Sequence, residues 1–173
     1  VVVPRIDLLG EEGDQIWYVF QVVCPVFLMA MTGTYLGIAG AALEEARNHL
    51  LKREYSATGS GLSELPIAQH RLGCLWGALE RTRRLCYHAA LSFDAGDPDA
   101  LPAVFTAKAE IADCAIDIVN EAMTLCGGIA YRSGSRLHRS LRDARAAHVM
   151  APTTDVLRLW TGRALLGKPI LGQ

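Results

Sequence analysis

Several things are scarce or missing in this sequence, and each absence removes a class of function. Neither charge is in surplus: 17 basic residues face 18 acidic ones, for a formal charge of -1. No basic run is long enough to track a nucleic-acid backbone. The five cysteines (Cys24, Cys74, Cys86, Cys114, Cys126) stand singly, without a Cys-x-x-Cys pair. An odd number of lone thiols on apolar helical faces argues against a disulfide framework or a zinc ribbon and predicts buried free thiols in a reducing cytoplasm. Paired Glu-x-x-His motifs, which a di-iron bundle needs, are missing. Glu45 and His49 are four apart, and neither Glu80 nor Glu110 has a histidine three residues on. His70, His88, His138 and His148 are dispersed, so no metal site is expected. The opening Val1-Val2-Val3-Pro4 has no charged segment ahead of an apolar core, as a signal peptide would.

What is present is a helix-forming pattern. Hydrophobic residues make up 51% of 173 residues, enough for one domain with a core. A first helix is expected from Ile16 or Val23 to Arg53, with Pro25 in its first turn or at a kink. Its uncharged run from Val22 to Ala42 has nearly the length of a membrane span. Interior glycines and the lack of a basic flank favour a helix buried in protein. Gly33, Gly37, Gly40 and Ala41, three and four apart, predict close helix contact. Tyr55–Glu64 reads as a loop, and Leu65-Pro66 as the start of a second helix. Ala68, Leu72, Leu75, Leu79, Thr82, Cys86, Ala89 and Phe93 form its apolar stripe, with Arg81, Arg83 and Arg84 on a solvated or subunit-facing surface. Residues 94–99 read as a turn with a built-in N-cap. A third helix is expected from Leu101 to Cys126, with Ile111, Cys114, Ala115, Ile118, Ala122 and Leu125 facing the core. A fourth follows from Ser135 to Ala147, and a fifth from Thr153 to Leu166, stopped by Lys168-Pro169. The expected class is all-α: an up-and-down four-helix bundle with extra short C-terminal helices and a short β/loop remnant at the N-terminus.

The stretch from Thr124 to Trp160 carries the chemistry. A helix ends in Gly127-Gly128, where missing side chains let backbone approach a ligand. A basic run leads to Arg142-Asp143-Ala144-Arg145, and Pro152-Thr153-Thr154-Asp155 reads as a helix N-terminus capped by side-chain oxygens. Cys126 beside the glycines has no neighbouring base and is not expected to act as a nucleophile.

These residues resemble the C-terminal domain of the acyl-CoA dehydrogenases, flavoenzymes that oxidise the α,β carbons of acyl thioesters. That family carries Gln-x-x-Gly-Gly, then Arg-Asp-Ala-Arg/Lys, then Tyr-Glu-Gly-Thr-Ser-Glu/Gln. The matching residues here are Thr124 to Gly128, Arg142 to Arg145, and Met150 to Asp155. Asp7-Leu8-Leu9-Gly10-Glu11 and Leu65-Pro66-Ile67-Ala68-Gln69 extend the resemblance over nearly the whole chain. It implies residues 1–15 as the end of a β-domain and 16–173 as the helical bundle, within a longer or split protein. It implies FAD as cofactor, with Gly127 and Gly128 near the flavin nucleotide of a neighbouring subunit and Thr153 near that of its own. Thr124 and Asp155 stand where the family has Gln and Glu or Gln. The arginine that the family sets against the FAD diphosphate has no aligned counterpart. Its offset lands on Ser60, and Arg53 is the candidate substitute.

The resemblance also implies a carboxylate base, the Glu of Tyr-Glu-Gly-Thr, to take the proton α to the thioester. Ala151 occupies that position, and the helix that supplies the base in a minority of the family has no Asp or Glu from residue 24 to 40. Three readings remain: part of an acyl thioester dehydrogenase with its base elsewhere, a flavin-dependent monooxygenase, or a non-catalytic bundle that stabilises a partner chain. The implied partners are an acyl thioester on CoA or a carrier protein, and either further copies of the chain (a dimer or tetramer) or a missing N-terminal half. No nucleic acid and no membrane are among them.

Overall fold

The computed structural model describes residues 4–8, 10–54, 59 and 61–171. Among these residues five helices carry the fold, and we number them in chain order. Helix α1 runs from Gln15 to Lys52. The Asp14 side chain starts it by accepting the Trp17 N–H at 3.2 Å. It begins earlier than Val23 because a wide π-type turn at Val19–Val23 leads the helix into Pro25. Proline has no N–H and its ring crowds the carbonyl four residues back, and a widened turn accommodates both.

One face of α1 is buried at helical spacing: Cys24, Leu28, Thr32, Tyr35, Ala39, Ala42, Ala46 and Leu50. The opposite face of its N-terminal half, including Val22, Val26 and Phe27, is exposed. The helix is therefore long and apolar enough to cross a membrane by composition, but it lends only one face to this bundle. The expected buried helix holds for that face alone. The predicted glycine contact is not made among the described residues, since a methyl group added at Gly33, Gly37 or Gly40 would meet nothing within 4 Å.

Beyond α1 the Leu62 N–H returns to the Arg53 carbonyl at 2.9 Å, and Glu54 pairs with Gly61 in an isolated antiparallel bridge. Leu62–Glu64 is a short 3-10 turn. Residues 55–58 and Ser60 lie outside the described residues. Helix α2 (Pro66–Ala95) places its proline in the first turn, as expected. It closes on Gly96 at φ 70°, where the Gly96 and Asp97 N–H groups return to the Phe93 and Ser92 carbonyls. Asp94 and Ala95 thus belong to the helix, and the turn is shorter than the sequence implied.

Helix α3 (Ala100–Cys126) is the hub, packing on α1, α2, α4 and α5. Surrounded on several sides, it buries far more than one stripe: Val104, Phe105, Lys108, Ile111, Ile118 and Val119 are all 1% exposed or less. The predicted Leu125 remains half-buried. Helices α4 (Arg136–Val149) and α5 (Thr154–Leu165) complete the domain. Trp160 of α5 wedges between Phe20 and Phe105, with ring centroids 5.3 and 5.5 Å away. Gly167 at φ 63° terminates α5 before Pro169 is reached. The Lys168 backbone N–H there donates to the Arg163 carbonyl at 2.8 Å.

Asp99, Ser135 and Thr153 hold the N-cap positions of α3, α4 and α5, yet none of these side chains caps its helix. Neighbouring polar groups are used elsewhere. Asp97 accepts the Ser92 hydroxyl at 2.9 Å, and the Thr154 hydroxyl lies 3.4 Å from His148 Nδ1. At the N-terminus Arg5–Asp7 forms an exposed 3-10 turn, with no strand among the described residues. Of the β/loop remnant expected at the N-terminus, residues 1–3 and 9 lie outside the described residues.

Candidate functional site

A cleft of about 770 Å³ opens where α1 and α3 end side by side. Thr124, Gly127 and Gly128 line it from α3 and its terminal turn, facing His49, Lys52 and Arg53 from α1. Arg132 closes the rim, and a smaller hollow of about 300 Å³ continues past Glu45 and Arg132 to Arg136. Gly127 has φ 64° and ψ -151°. That backbone region is essentially closed to residues with a Cβ, and the space around both glycines is open. Thr124 donates its hydroxyl to the Asn120 carbonyl at 3.1 Å, leaving only its lone pairs to the cleft.

The electrostatics are set by opposed contributions. Both helices point their carbonyl ends here, and those ends carry partial negative charge. Lys52, Arg53 and Arg132 place three full positive charges against it. Glu45, the one acid among the described lining residues, sits 3.8 Å from Arg136. The balance favours an anion at the side chains, with carbonyls left to accept from hydroxyl or amide donors. Cys126 is buried, and burial, with a smaller contribution from Glu45, pushes its thiol up to about 11. It stays protonated at neutral pH, consistent with a packing role.

The other expected residues lie apart from this cleft. Thr153 and Asp155 sit at the start of α5, with Ala151 exposed in the turn before it. Lys108 supports that turn from below. It is 1% exposed, and its ammonium donates to the Ala147 carbonyl at 2.6 Å and to the Pro152 carbonyl at 3.0 Å. Burial lowers its pKa. Close by, His148 Nε2 lies 3.5 Å from Asp113, and Arg158 binds Asp113 and reaches Glu110 at 3.8 Å. The carboxylates of α3 on this side are thus engaged by basic groups. The structure therefore divides the five expected cofactor residues into two places: Thr124, Gly127 and Gly128 in the cleft, Thr153 and Asp155 at the α5 end.

A model of the acyl-CoA dehydrogenase C-terminal domain matches residues 17–166. The chain belongs to the acyl-CoA dehydrogenase family. It is similar to the cyclohex-1-ene-1-carbonyl-CoA dehydrogenase of Geobacter metallireducens, with 30% identity over 95% of this chain and 42% of that protein. It is also similar to the short-chain specific mitochondrial acyl-CoA dehydrogenase of Bos taurus, with 32% identity over 95% of this chain and 39% of that protein. The butyryl-CoA dehydrogenase structure from Megasphaera elsdenii superposes with a TM-score of 0.85 at 29% identity, over 95% of this chain and 42% of that one. The chain spans about two-fifths of the length of these relatives.

Within an acyl-CoA dehydrogenase-type domain, the cleft fits part of a flavin dinucleotide. Open glycines and three cations suit a diphosphate, and helix-end carbonyls suit ribityl or ribose hydroxyls. Sequence reasoning reached Arg53 as a substitute for the missing arginine, and Arg53 does line the cleft. It passed over Lys52 and Arg132, whose only signal was a basic residue within a turn or two of a helix end. It also passed over Lys108, because a lysine between alanines on an apolar helix carries no mark of its partners.

Proposed function

We propose that this chain is the C-terminal part of an FAD-dependent acyl-CoA dehydrogenase-like oxidoreductase. The observation that carries the reading is the cationic cleft at the Gly127–Gly128 helix end. Lys52, Arg53 and Arg132 would hold the diphosphate, with Gly127 and Gly128 allowing close approach of the nucleotide. Thr153, at the separate α5 end, would contact a second flavin nucleotide, so that each cofactor is held by two copies of the chain. FAD when bound accepts the hydride equivalent removed from the substrate's β carbon. The substrate would be an acyl thioester on CoA or a carrier protein, handled in a reducing compartment such as the cytoplasm.

This chain's own residues do not supply the usual base in this reading. Ala151 puts a methyl group where the family's carboxylate is expected, and Asp155 lies one turn further on. Glu110 and Asp113 are held by Arg158. In this reading the proton α to the thioester is taken by a base at neither of the family's usual positions. The methyl at position 151 favours a second reading, a flavin-dependent monooxygenase on the same scaffold, which needs no carboxylate there. A bundle that only stabilises a partner chain is the third.

Flavin absorbance of the purified protein separates the readings. FAD retained by the complete assembly supports a flavoenzyme, and an assembly that stays colourless and takes up no added FAD overturns both flavin readings. In the complete assembly, Ala151→Glu should gain flavin bleaching by acyl-CoA under anaerobic conditions. No gain counts against position 151 as the family's base position.

A further inference from the structure

The buried ammonium of Lys108 is an unusual expense for a helical core. A lysine at 1% exposure loses its hydration, and an apolar residue of similar length would fill the same space without that cost. Its two acceptors lie on either side of the α4–α5 connection: the Ala147 carbonyl near the end of α4 and the Pro152 carbonyl just before α5. A carbonyl in the last turn of a helix has no partner within the helix, and Pro152 lies outside any helix, so one ammonium satisfies two groups that the fold otherwise strands. A second clamp sits alongside. His148 approaches Thr154 at 3.4 Å and Asp113 at 3.5 Å, again joining the end of α4, the start of α5 and the side of α3.

We propose that Lys108 is a positioning residue, whose charge-assisted hydrogen bonds to Ala147 and Pro152 fix the turn that presents position 151 and Thr153 to the flavin site. The proposal rests on the reading of that turn as flavin-facing given under Proposed function. Charge-assisted bonds to carbonyls are shorter and stronger than neutral ones, and they restrain the connection at both ends. The Tyr35 hydroxyl also donates to the Met150 sulfur at 3.5 Å, but only Lys108 binds backbone carbonyls on both sides of the residues from Met150 to Pro152. Lys108 touches neither substrate nor cofactor in this account. It acts through the backbone on which Ala151 and Thr153 sit.

The test compares Lys108→Met, Lys108→Arg and Thr153→Ala with the parent protein, using amide hydrogen exchange and FAD titration. Lys108→Met should speed exchange at residues 148–154 by roughly tenfold or more, while the α3 amides around Ile118 keep their protection. It should weaken FAD binding by roughly tenfold, and Thr153→Ala added to it should cost less than it does alone. Lys108→Arg, which keeps the charge and the donors, should restore most of both. Uniform loss of protection across the bundle, or an unchanged turn, would overturn the proposal. So would failure of every Lys108 variant to fold, because the residue would then serve the core as a whole. If the parent protein binds no FAD, the flavin reading fails by itself, and the exchange pattern still decides whether Lys108 holds the turn.

Discussion

Gly127 shows how one residue can be constrained by its backbone while its surroundings are open. Nothing lies within 4 Å of a methyl placed there, yet φ is 64° with ψ at -151°. Gly127→Ala should therefore destabilise the protein by about 1–3 kcal/mol through strain alone, read as a lower urea midpoint, and should reshape the cleft. The cysteines offer a chemical check. Cys74 is exposed, whereas Cys24, Cys86, Cys114 and Cys126 are buried. A thiol reagent at neutral pH should modify Cys74 quickly and the other four only on unfolding, as peptide mass mapping would show. Burial pushes Cys86 up to about 12 and Cys126 up to about 11, from 9.0. A folded-state pKa raised above the unfolded value gives stability that is complete below pH 9 and lost as pH climbs towards those values. The urea midpoint should fall across that window, and Cys86→Ala should flatten the fall.

Among the elements, α1 and α3 solve different problems. Helix α3 is enclosed, so its side chains are sized for packing. Phe105 is fully buried against Trp160, and Phe105→Ala should cost about 3–5 kcal/mol in chemical denaturation. Helix α1 has one dry face and one open one. Gly37 lies on the open face with nothing near it, so Gly37→Ala should stabilise the isolated chain by about 0.5–1 kcal/mol through helix propensity. A loss of stability there would mean that the face is covered in solution, as by a second copy of the chain. The wide turn ahead of Pro25 shows a local rule and a tertiary demand meeting in one element. Proline disfavours an ordinary helical turn, and the contact of Phe20 with Trp160 keeps the chain helical through it.

At the scale of the whole molecule, the cleft exists because α1 and α3 terminate together, bringing residues some 75 positions apart in the chain to one opening. A diphosphate held by Lys52, Arg53 and Arg132 should bind less well in salt. Arg53→Ala and Arg132→Ala should each weaken FAD binding, and each should reduce the salt dependence measured by flavin fluorescence titration. If both variants leave FAD affinity unchanged, the cations serve only the helix ends.

What the sequence by itself determined is what depends on spacing. Apolar residues three and four apart marked the second and third helices, Pro66 and the Thr-Thr-Asp group marked helix starts, and the Gly-Gly, Arg-Asp-Ala-Arg and Thr-Thr-Asp motifs identified the family. Each of these signals lies within a few residues of chain, where helical periodicity and backbone sterics act. Only the tertiary structure decided the rest. It placed Arg132 and Lys52 opposite the glycines, buried Lys108 under a turn some forty residues away, and left Gly33, Gly37 and Gly40 without a close neighbour among the described residues. The reason is physical: the partner of a charge or of a bare backbone position is chosen by which helices pack together, and that choice leaves no periodic trace in either segment.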